Sequence, residues 1–395
     1  MFAWNSAPKP KPFQSAKEAR ANAYATGRKH WHNLCLKHCD LTQTDSKTRM
    51  KPTTPHYAAR EARTCNGVLE AIGGTPVVQL RRFLDDETID LRVKLESFNP
   101  GGSAKDRPAR RMIEDALAAG EIHPGSTVIE SSSGNMGIGL AQACRYYGLK
   151  FICVVDPRAQ PQNIAIMRAL GAQIEQVTKP IDGDFLAARL ARVCWLLEHT
   201  RDSYWSNQYA NDSNPTAHAE ETARELDDAF GGDLDWLFVA ISSTGTMLGC
   251  QRYFQDHRRP PQIVAVDAHG SVLFGGEAGK RLMPGLGAGR VPPLSRNARP
   301  AQVVRVSDAD CVVGCRRLAA TEAILAGGSG GGVLQAVRTM RDQLTGARCA
   351  AILHDSGVRY LDTVYNDQWV QQHLHIAPTA LSELAGLSES AGATA

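Results

Sequence analysis

Six short apolar segments, separated by stretches of helical periodicity, restrict this chain to a narrow class of folds. Each segment has the composition of a buried strand, and they occupy 128–130, 151–155, 237–241, 263–266, 303–306 and 350–353. Because alternating strands and helices favour parallel pairing, the pattern predicts an α/β fold with parallel sheets and helices on both faces. With 395 residues, 43% of them apolar, the chain can bury a large core and form two domains or lobes.

The segment 99–107, with the sequence NPGGSAKDR, contains the lysine that most restricts the chemistry. Lys105 follows a glycine-rich turn, and an amphipathic helical pattern begins directly after it. The positive end of a helix dipole and desolvation both disfavour an ammonium ion, so an amine at this place is more readily neutral and nucleophilic. Such an amine suits a Schiff base. The alternative is a glycine turn that carries a solvated lysine.

Two further glycine-containing loops connect a predicted strand to a predicted helix. The first, SSSGNMG at 131–137, follows the strand at 128–130, and the second, SSTGT at 242–246, follows the strand at 237–241. Hydroxyls and backbone amides at a helix start suit a carboxylate or a phosphate. Since the second loop lacks the lysine of a Walker loop, it favours a small phosphate ester over a nucleotide.

The order of these motifs resembles the fold-type II pyridoxal phosphate enzymes of the cysteine synthase and cystathionine β-synthase family. The resemblance spans about 67–369 and includes IGGTPVVQL at 72–80, GLGAG at 285–289 and AGGSGG at 326–331. It implies a tryptophan synthase β-like fold with two lobes, each with a twisted, mostly parallel sheet flanked by helices. The larger, cofactor-binding lobe would comprise 66–100 and 209–372, and a smaller mobile lobe would comprise 101–208.

The resemblance also implies roles for individual residues toward pyridoxal 5'-phosphate. Lys105 would form the Schiff base, Asn135 would hydrogen-bond the ring hydroxyl, and Ser329 would face the pyridine nitrogen. The cofactor phosphate would be held by Ser242, Ser243, Thr244, Gly245 and Thr246. The substrate carboxylate would be bound by Ser132, Ser133 and Gln208, beside Gly134 and Met136. Because a serine hydroxyl does not stabilise a protonated pyridine as a carboxylate does, elimination is favoured over transamination.

Within this family, the chain resembles synthases of 2,3-diaminopropionate biosynthesis, which use O-phosphoserine and glutamate in siderophore and antibiotic pathways. Segments that carry the narrower likeness are CVVDP at 153–157, NQYAN at 207–211 and VRYLDTVYNDQW at 358–369. Acetylserine sulfhydrylases usually carry threonine at the place of Met136 and an aromatic residue at that of Arg290. An arginine can bind a departing phosphate through two hydrogen bonds, so Arg290 is the first candidate for that contact.

Arg189 and Tyr209 match positions expected near the second substrate. The alternatives are a solvated helix face for Arg189 and an ordinary packed tyrosine for Tyr209. The expected reaction is β-replacement: Lys105 removes the α proton of O-phosphoserine, phosphate leaves, and the amine of L-glutamate adds. A synthase that uses sulfide or another thiol, and a PLP-binding regulator without catalysis, remain alternatives. A homodimer is expected from the family.

Ten cysteines are present, and Cys144, Cys153, Cys194, Cys250 and Cys349 lie in apolar segments, where they resemble small buried hydrophobic residues. A reducing cytoplasm is therefore expected. A cluster of possible metal or haem ligands lies outside the recognised fold, and its spacing matches no paired zinc pattern, so no metal is predicted. Its members are His30, His32, Cys35, His38 and Cys39.

The basic character of the chain is confined to its first 49 residues, which carry nine lysines and arginines against three acidic residues. The rest carries 35 against 38, so neither nucleic acid nor an anionic membrane is an expected partner of the enzyme. No apolar run has the length of a membrane span or a signal peptide. Residues 1–50 are expected to be a disordered basic extension, and 377–395 a disordered tail.

Overall fold

The structure of the protein, a computed structural model, describes residues 64–387. Within these residues, ten strands form two sheets. They are β1 (Val77–Gln79), β2 (Asp90–Leu95), β3 (Thr127–Ser131), β4 (Lys150–Val155), β5 (Gln173–Gln176), β6 (Ser203–Trp205), β7 (Trp236–Ala240), β8 (Gln262–Ala268), β9 (Gln302–Val306) and β10 (Arg348–Leu353). The larger sheet has the order β1-β2-β10-β7-β8-β9, and the smaller has the order β5-β4-β3-β6.

Eleven α-helices connect these strands in the described part of the chain. They are α1 (Asp106–Ala118), α2 (Asn135–Tyr146), α3 (Pro161–Ala169), α4 (Phe185–His199), α5 (Ser213–Ala217), α6 (Arg224–Phe230), α7 (Gly245–Phe254), α8 (Asp308–Glu322), α9 (Gly328–Thr339), α10 (Asp367–Leu374) and α11 (Pro378–Leu384). A π-helical segment, His218–Ala223, joins α5 to α6. Short 3-10 helices lie at Val68–Ala71, Glu96–Phe98, Leu273–Gly275, Pro293–Asn297, Arg341–Gln343 and Gly357–Tyr360.

Both sheets are dominated by parallel pairing. Only β1 runs antiparallel, against β2, while the four other pairs of the larger sheet and all three pairs of the smaller sheet are parallel. Crossovers between parallel strands need a helix or a long connection, as seen after β3, β4 and β7. The predicted α/β class is therefore confirmed.

Alternating side chains of each central strand enter two different cores. In β7, Phe238 and Ala240 belong to the core on one face of the larger sheet, while Leu237 and Val239 belong to the core on the other. Successive residues of a strand point to opposite faces, so a sheet covered by helices on both sides requires apolar residues at every position. It explains why the central strands appear in the sequence as continuous apolar runs.

Each of the six predicted strands agrees with an observed strand to within one residue at both ends, except that β8 ends two residues later and β10 begins two residues earlier than predicted. Four strands were not predicted: β1, β2, β5 and β6. β1, β5 and β6 have only three or four residues each, and their side chains are half-buried or exposed rather than continuously buried. β2 is missed because charged residues interrupt its apolar pattern.

Two predictions about the periphery are wrong. Residues of the expected disordered tail form α11, since Leu381 and Ala385 pack into the larger core, with 4% and 0% of their surface exposed. Cys194 is exposed, because its position on α4 faces away from the small core formed by Val193 and Leu196. The basic extension, its His/Cys cluster and residues 388–395 lie outside the described residues.

The strands of the smaller sheet lie within 127–205, and those of the larger sheet within 77–95 and 236–353. The predicted lobe boundaries enclose these two groups, but motion of one lobe against the other stays a prediction. None of the helices within residues 64–387 is long and apolar enough to cross a membrane.

Candidate active site

A cavity of about 300 Å³ opens where both sheets present the carboxyl ends of parallel strands. Loops that follow β3, β7 and β10 form much of its wall, and the starts of α1, α2, α7 and α9 point toward it. Ligands of open α/β sheets bind at this end of the strands, because the helices that follow present free backbone amides there. The position therefore suits an anionic ligand.

Lys105 lines the cavity as the residue that directly precedes α1, as the sequence predicts. Burial lowers its pKa, an effect that the negative charges of Asp355 and Glu96 only partly oppose. No carboxylate within the described chain lies close enough to Nζ for an ion pair. The amine is thus available to react with an electrophilic carbon.

A buried ion-pair network fixes the backbone behind Lys105. The Arg107 guanidinium, fully buried on α1, contacts both carboxylate oxygens of Glu96 at 2.8 and 2.9 Å and Glu225 at 2.7 Å. Lys94 on β2 contacts the same Glu225 at 2.6 Å. Although burial alone raises the pKa of Glu96, the charge and hydrogen bonds of Arg107 lower it to about 2. The network joins β2, α1 and α6.

The serine-containing loop after β3 is organised around its own side chains. Ser132 Oγ accepts a hydrogen bond from the backbone amide of Gly137 at 2.9 Å, which caps the start of α2. Ser133 Oγ instead accepts from Arg189 on α4 at 3.2 Å. Beneath the loop, the buried carboxylate of Glu130 accepts from Ser206 at 2.7 Å. The loop therefore combines free amides with one arginine.

The second loop, after β7, combines hydroxyls with a helix start. Thr244 adopts a left-handed conformation, with φ of 66°, directly before α7. A Cβ at Gly245 would lie 2.2 Å from Asn214 Oδ1, so only glycine fits there. Thr246 Oγ1 lies 3.2 Å from Nε2 of the buried His218. Several hydroxyls around the positive end of a helix suit a phosphate.

Among the residues that line the cavity and that sequence reasoning missed, four follow β10: His354, Asp355, Arg359 and Tyr360. Within the described structure neither ring nitrogen of His354 has a hydrogen-bond partner, and burial lowers its pKa to about 3. A signal was present, because polar residues that directly follow a predicted strand lie at the ligand-binding edge of a parallel sheet.

Two arginines lie side by side at another part of the wall. Arg158 and Arg189 both lie beside the carboxylate of Asp156, with nitrogen–oxygen distances of 3.0 and 3.1 Å to Oδ2. Asp156 is only 2% exposed. Tyr209 is a further part of the wall, and burial raises its pKa, opposed by the nearby positive charge of Arg189. This part of the cavity therefore carries net positive charge.

Arg290 does not line the cavity. Its exposed guanidinium pairs with Asp184 at 2.8 Å, and Asp184 caps the amino end of α4, the helix that carries Arg189. The sequence could not reveal this, because the partner is more than 100 residues away.

The other predicted site residues all line the cavity, and their roles stay predictions. They are Lys105, Ser132, Ser133, Gly134, Asn135, Met136, Arg189, Gln208, Tyr209, Ser242, Ser243, Thr244, Gly245, Thr246 and Ser329. Across residues 64–387, no group of three or more His, Cys, Asp or Glu side chains is arranged to hold a metal ion.

Comparison with known proteins identifies a matching family and close relatives. The family described as pyridoxal-phosphate dependent enzyme matches residues 68–355. The N-(2-amino-2-carboxyethyl)-L-glutamate synthase of Ralstonia nicotianae is 45% identical over 305 residues, which cover 77% of this chain and 90% of that protein. The synthase of the same name from Cupriavidus metallidurans is 43% identical over 311 residues, covering 78% and 91%.

Among solved structures, the fold is similar to that of an O-ureido-L-serine synthase. The two share 31% sequence identity with a TM-score of 0.72, over 76% of this chain and 95% of that one.

Proposed function

The chain belongs to the family of pyridoxal-phosphate dependent enzymes, and from this we propose that it replaces the phosphate of O-phospho-L-serine by the amine of L-glutamate. The products are N-(1-amino-1-carboxy-2-ethyl)-L-glutamate and inorganic phosphate. The observation that carries the proposal is the cationic part of the cavity wall beside Ser133, in a chain 43–45% identical to synthases named for this product.

The residues present fit pyridoxal 5'-phosphate. Lys105 offers an unpaired amine for the aldehyde, the 242–246 loop offers hydroxyls and a helix start for the phosphate, and Asn135 and Ser329 would face the ring. Ser131 Oγ, buried without a hydrogen-bond partner within the described residues, adds a free donor. When bound, the cofactor acidifies the α proton of an amino acid and permits a β substituent to leave.

Lys105 would hold the cofactor through Nζ until the amine of the substrate takes that place. The released Nζ is then the base that removes the α proton, because burial lowers its pKa and so increases the neutral fraction. Ser329 is 4% exposed at the start of α9, and its hydroxyl would leave the ring nitrogen unprotonated. This favours departure of the β substituent over transamination.

Ser132, Ser133 and the amides that follow would bind the α-carboxylate of the substrate. Glutamate adds two more carboxylates to a complex that already holds the cofactor phosphate and an anionic substrate, and unpaired anions are costly to bury. Arg158 and Arg189 offset this repulsion, since one carboxylate, Asp156, serves both guanidiniums and leaves an excess positive charge. We therefore place L-glutamate, whose amine accepts the transferred group, at this wall. Arg189, instead of Arg290, would contact the leaving phosphate.

The proposal extends to the setting of the enzyme. The product would be oxidised by another enzyme to release 2,3-diaminopropionate for a siderophore or an antibiotic. All eight cysteines of the described residues are free and six are buried, which supports a reducing cytoplasm. A homodimer is proposed from the family.

The test is mass spectrometry of the products formed from O-phosphoserine with glutamate, aspartate and sulfide at matched concentrations. We expect the glutamate adduct to dominate, and Arg189→Gln to raise the KM for glutamate at least about tenfold, because an ionised hydrogen bond is lost. Arg290→Gln is the matched control, since it removes an arginine outside the cavity. If only sulfide gave a product, the protein would be a cysteine synthase instead. If O-phosphoserine released no phosphate, the protein would be a PLP-binding regulator.

A further inference from the structure

The side chain of Asn135 is held on two sides by residues of the larger sheet. Its amide nitrogen Nδ2 donates a hydrogen bond to Asp355 Oδ2 at 2.8 Å, and its carbonyl oxygen Oδ1 accepts one from Nη1 of Arg359. Asn135 begins α2, whereas Asp355 and Arg359 follow β10. All three line the cavity.

These two partners determine which way the amide faces. An arginine can only donate and the contacted carboxylate oxygen accepts, so a flipped amide would oppose donor to donor and acceptor to acceptor. Asn135 has two N–H groups and one of them is used by Asp355. The other N–H makes no hydrogen bond to Asp355 or Arg359 and can donate to a ligand.

The acceptor role of Asp355 does not depend on its ionisation. Burial raises its pKa, while Asn135, Tyr360, Arg359 and Lys105 oppose the increase. The Tyr360 hydroxyl donates to the same Oδ2 at 2.8 Å, so Oδ2 accepts two hydrogen bonds. Any added proton would occupy Oδ1, which has no partner within the described residues.

The backbone around both partners is fixed. A Cβ on Gly327 would lie 2.0 Å from Asp355 Oδ1, which shows how closely the loop before α9 packs on this carboxylate. Arg359 also donates through Nη2 to the carbonyl of Gly101, in the loop that leads to Lys105. The pair therefore couples the orientation of Asn135 to the loop that carries the reactive amine.

We propose that Asp355 and Arg359 are positioning residues that fix the Asn135 amide so that its remaining N–H is presented to the ring oxygen of bound pyridoxal phosphate. The inference rests on the proposed function only in taking Asn135 as the residue that faces this oxygen. An N–H donor stabilises the ionised ring oxygen, whereas a flipped amide would place a carbonyl oxygen against it.

The test measures the absorption spectrum of the holoenzyme without substrate, and the dissociation constant of the cofactor. The ratio of the visible to the near-ultraviolet band reports whether the ring oxygen is ionised. Arg359→Met should lower this ratio several-fold and weaken cofactor binding at least about tenfold, because a charge-assisted hydrogen bond is lost. Arg290→Met, which removes an arginine outside the cavity, should change neither.

Conservative variants separate positioning from folding. Asp355→Asn should keep the wild-type spectrum, because its amide oxygen can occupy the Oδ2 position, while Asp355→Ala should not. Arg359→Lys should restore part of the band ratio. In an Asn135→Ala background, Arg359→Met should cause no further spectral change, since the effect passes through Asn135.

An unchanged spectrum in both Arg359→Met and Asp355→Ala would overturn the inference. It would also be overturned if Arg359→Met changed the band ratio equally in the wild type and in the Asn135→Ala background. If Arg359→Met does not fold, the comparison of Asp355→Ala with Asp355→Asn decides it in the same way. No substrate is needed, so failure of glutamate transfer would refute the proposed function and leave this inference standing.

Discussion

At the residue scale, burial shifts the pKa values of two adjacent side chains at the start of α1, Lys105 and Asp106. Lys105 has its pKa lowered by burial, and Asp106 beside it has its pKa raised to about 7 for the same reason. Desolvation disfavours the charged form of both groups. A lysine and a carboxyl that are adjacent in the chain are thereby both driven toward neutrality, which the sequence predicted for Lys105 but not for Asp106.

The first prediction at this scale concerns Lys105→Ala. We expect the purified variant to lose the visible absorption of the cofactor, the mass adduct after borohydride reduction, and turnover, because no other lysine among residues 64–387 lines the cavity. Lys150→Ala, at an exposed lysine that begins β4, is the control and should keep all three. A borohydride-stable adduct that persists in Lys105→Ala would show that another lysine holds the cofactor.

At the scale of elements, the site depends on helices whose first residues are held from behind. The network of Glu96, Arg107, Glu225 and Lys94 fixes α1 below Lys105. On the other side of the cavity, α9 approaches α8 so closely that a Cβ at Gly331 would lie 2.0 Å from the carbonyl oxygen of Cys311. Both arrangements therefore hold the start of a helix that lines the cavity, α1 at Lys105 and α9 at Ser329.

The prediction at this scale is that Glu96→Gln lowers the free energy of unfolding at pH 7 by about 3 to 5 kcal/mol, because Arg107 is left buried without its main counter-charge. The pKa of Glu96 falls from 4.5 to about 2 on folding. Its contribution is therefore fully present above pH 4.5 and is lost as pH falls toward 2.

Urea unfolding at several pH values tests this. The difference in free energy between wild type and Glu96→Gln should narrow across that window, whereas Glu121→Gln, at an exposed glutamate, should match wild type throughout. A difference that stays constant with pH would contradict the role assigned to the Glu96 charge.

At the scale of the whole molecule, the cavity combines elements of both sheets. The smaller sheet supplies the 131–136 loop and Arg189, and the larger supplies the 242–246 loop, Ser329 and the residues after β10. The ion pair of Arg290 with Asp184 is a further contact between these two parts. If the smaller lobe moves, as the family resemblance predicts, this pair is a contact that opening would have to break.

The prediction for the whole chain is that deletion of residues 1–49 leaves cofactor absorption and turnover within about twofold of the full-length protein. Among residues 64–387, those that line the cavity all lie beyond residue 100, and the family match begins at residue 68. Spectra and turnover of both forms, with metal analysis, are the measurements. Loss of activity, or of a bound metal, on deletion would give the extension and its His/Cys cluster a functional role.

The sequence by itself determined the fold class, six of the ten strands of the described residues and the loops that carry Lys105, Asn135 and the 242–246 hydroxyls. These features are local, because strand periodicity, glycine turns and helix starts are written in neighbouring residues. Tertiary structure decided the rest. It placed Arg290 on Asp184 instead of in the cavity, packed α11 into the core, and brought Asp355 and Arg359 onto Asn135. Each of these outcomes joins residues far apart in the chain, and such contacts depend on how the two sheets are packed, which periodicity does not encode.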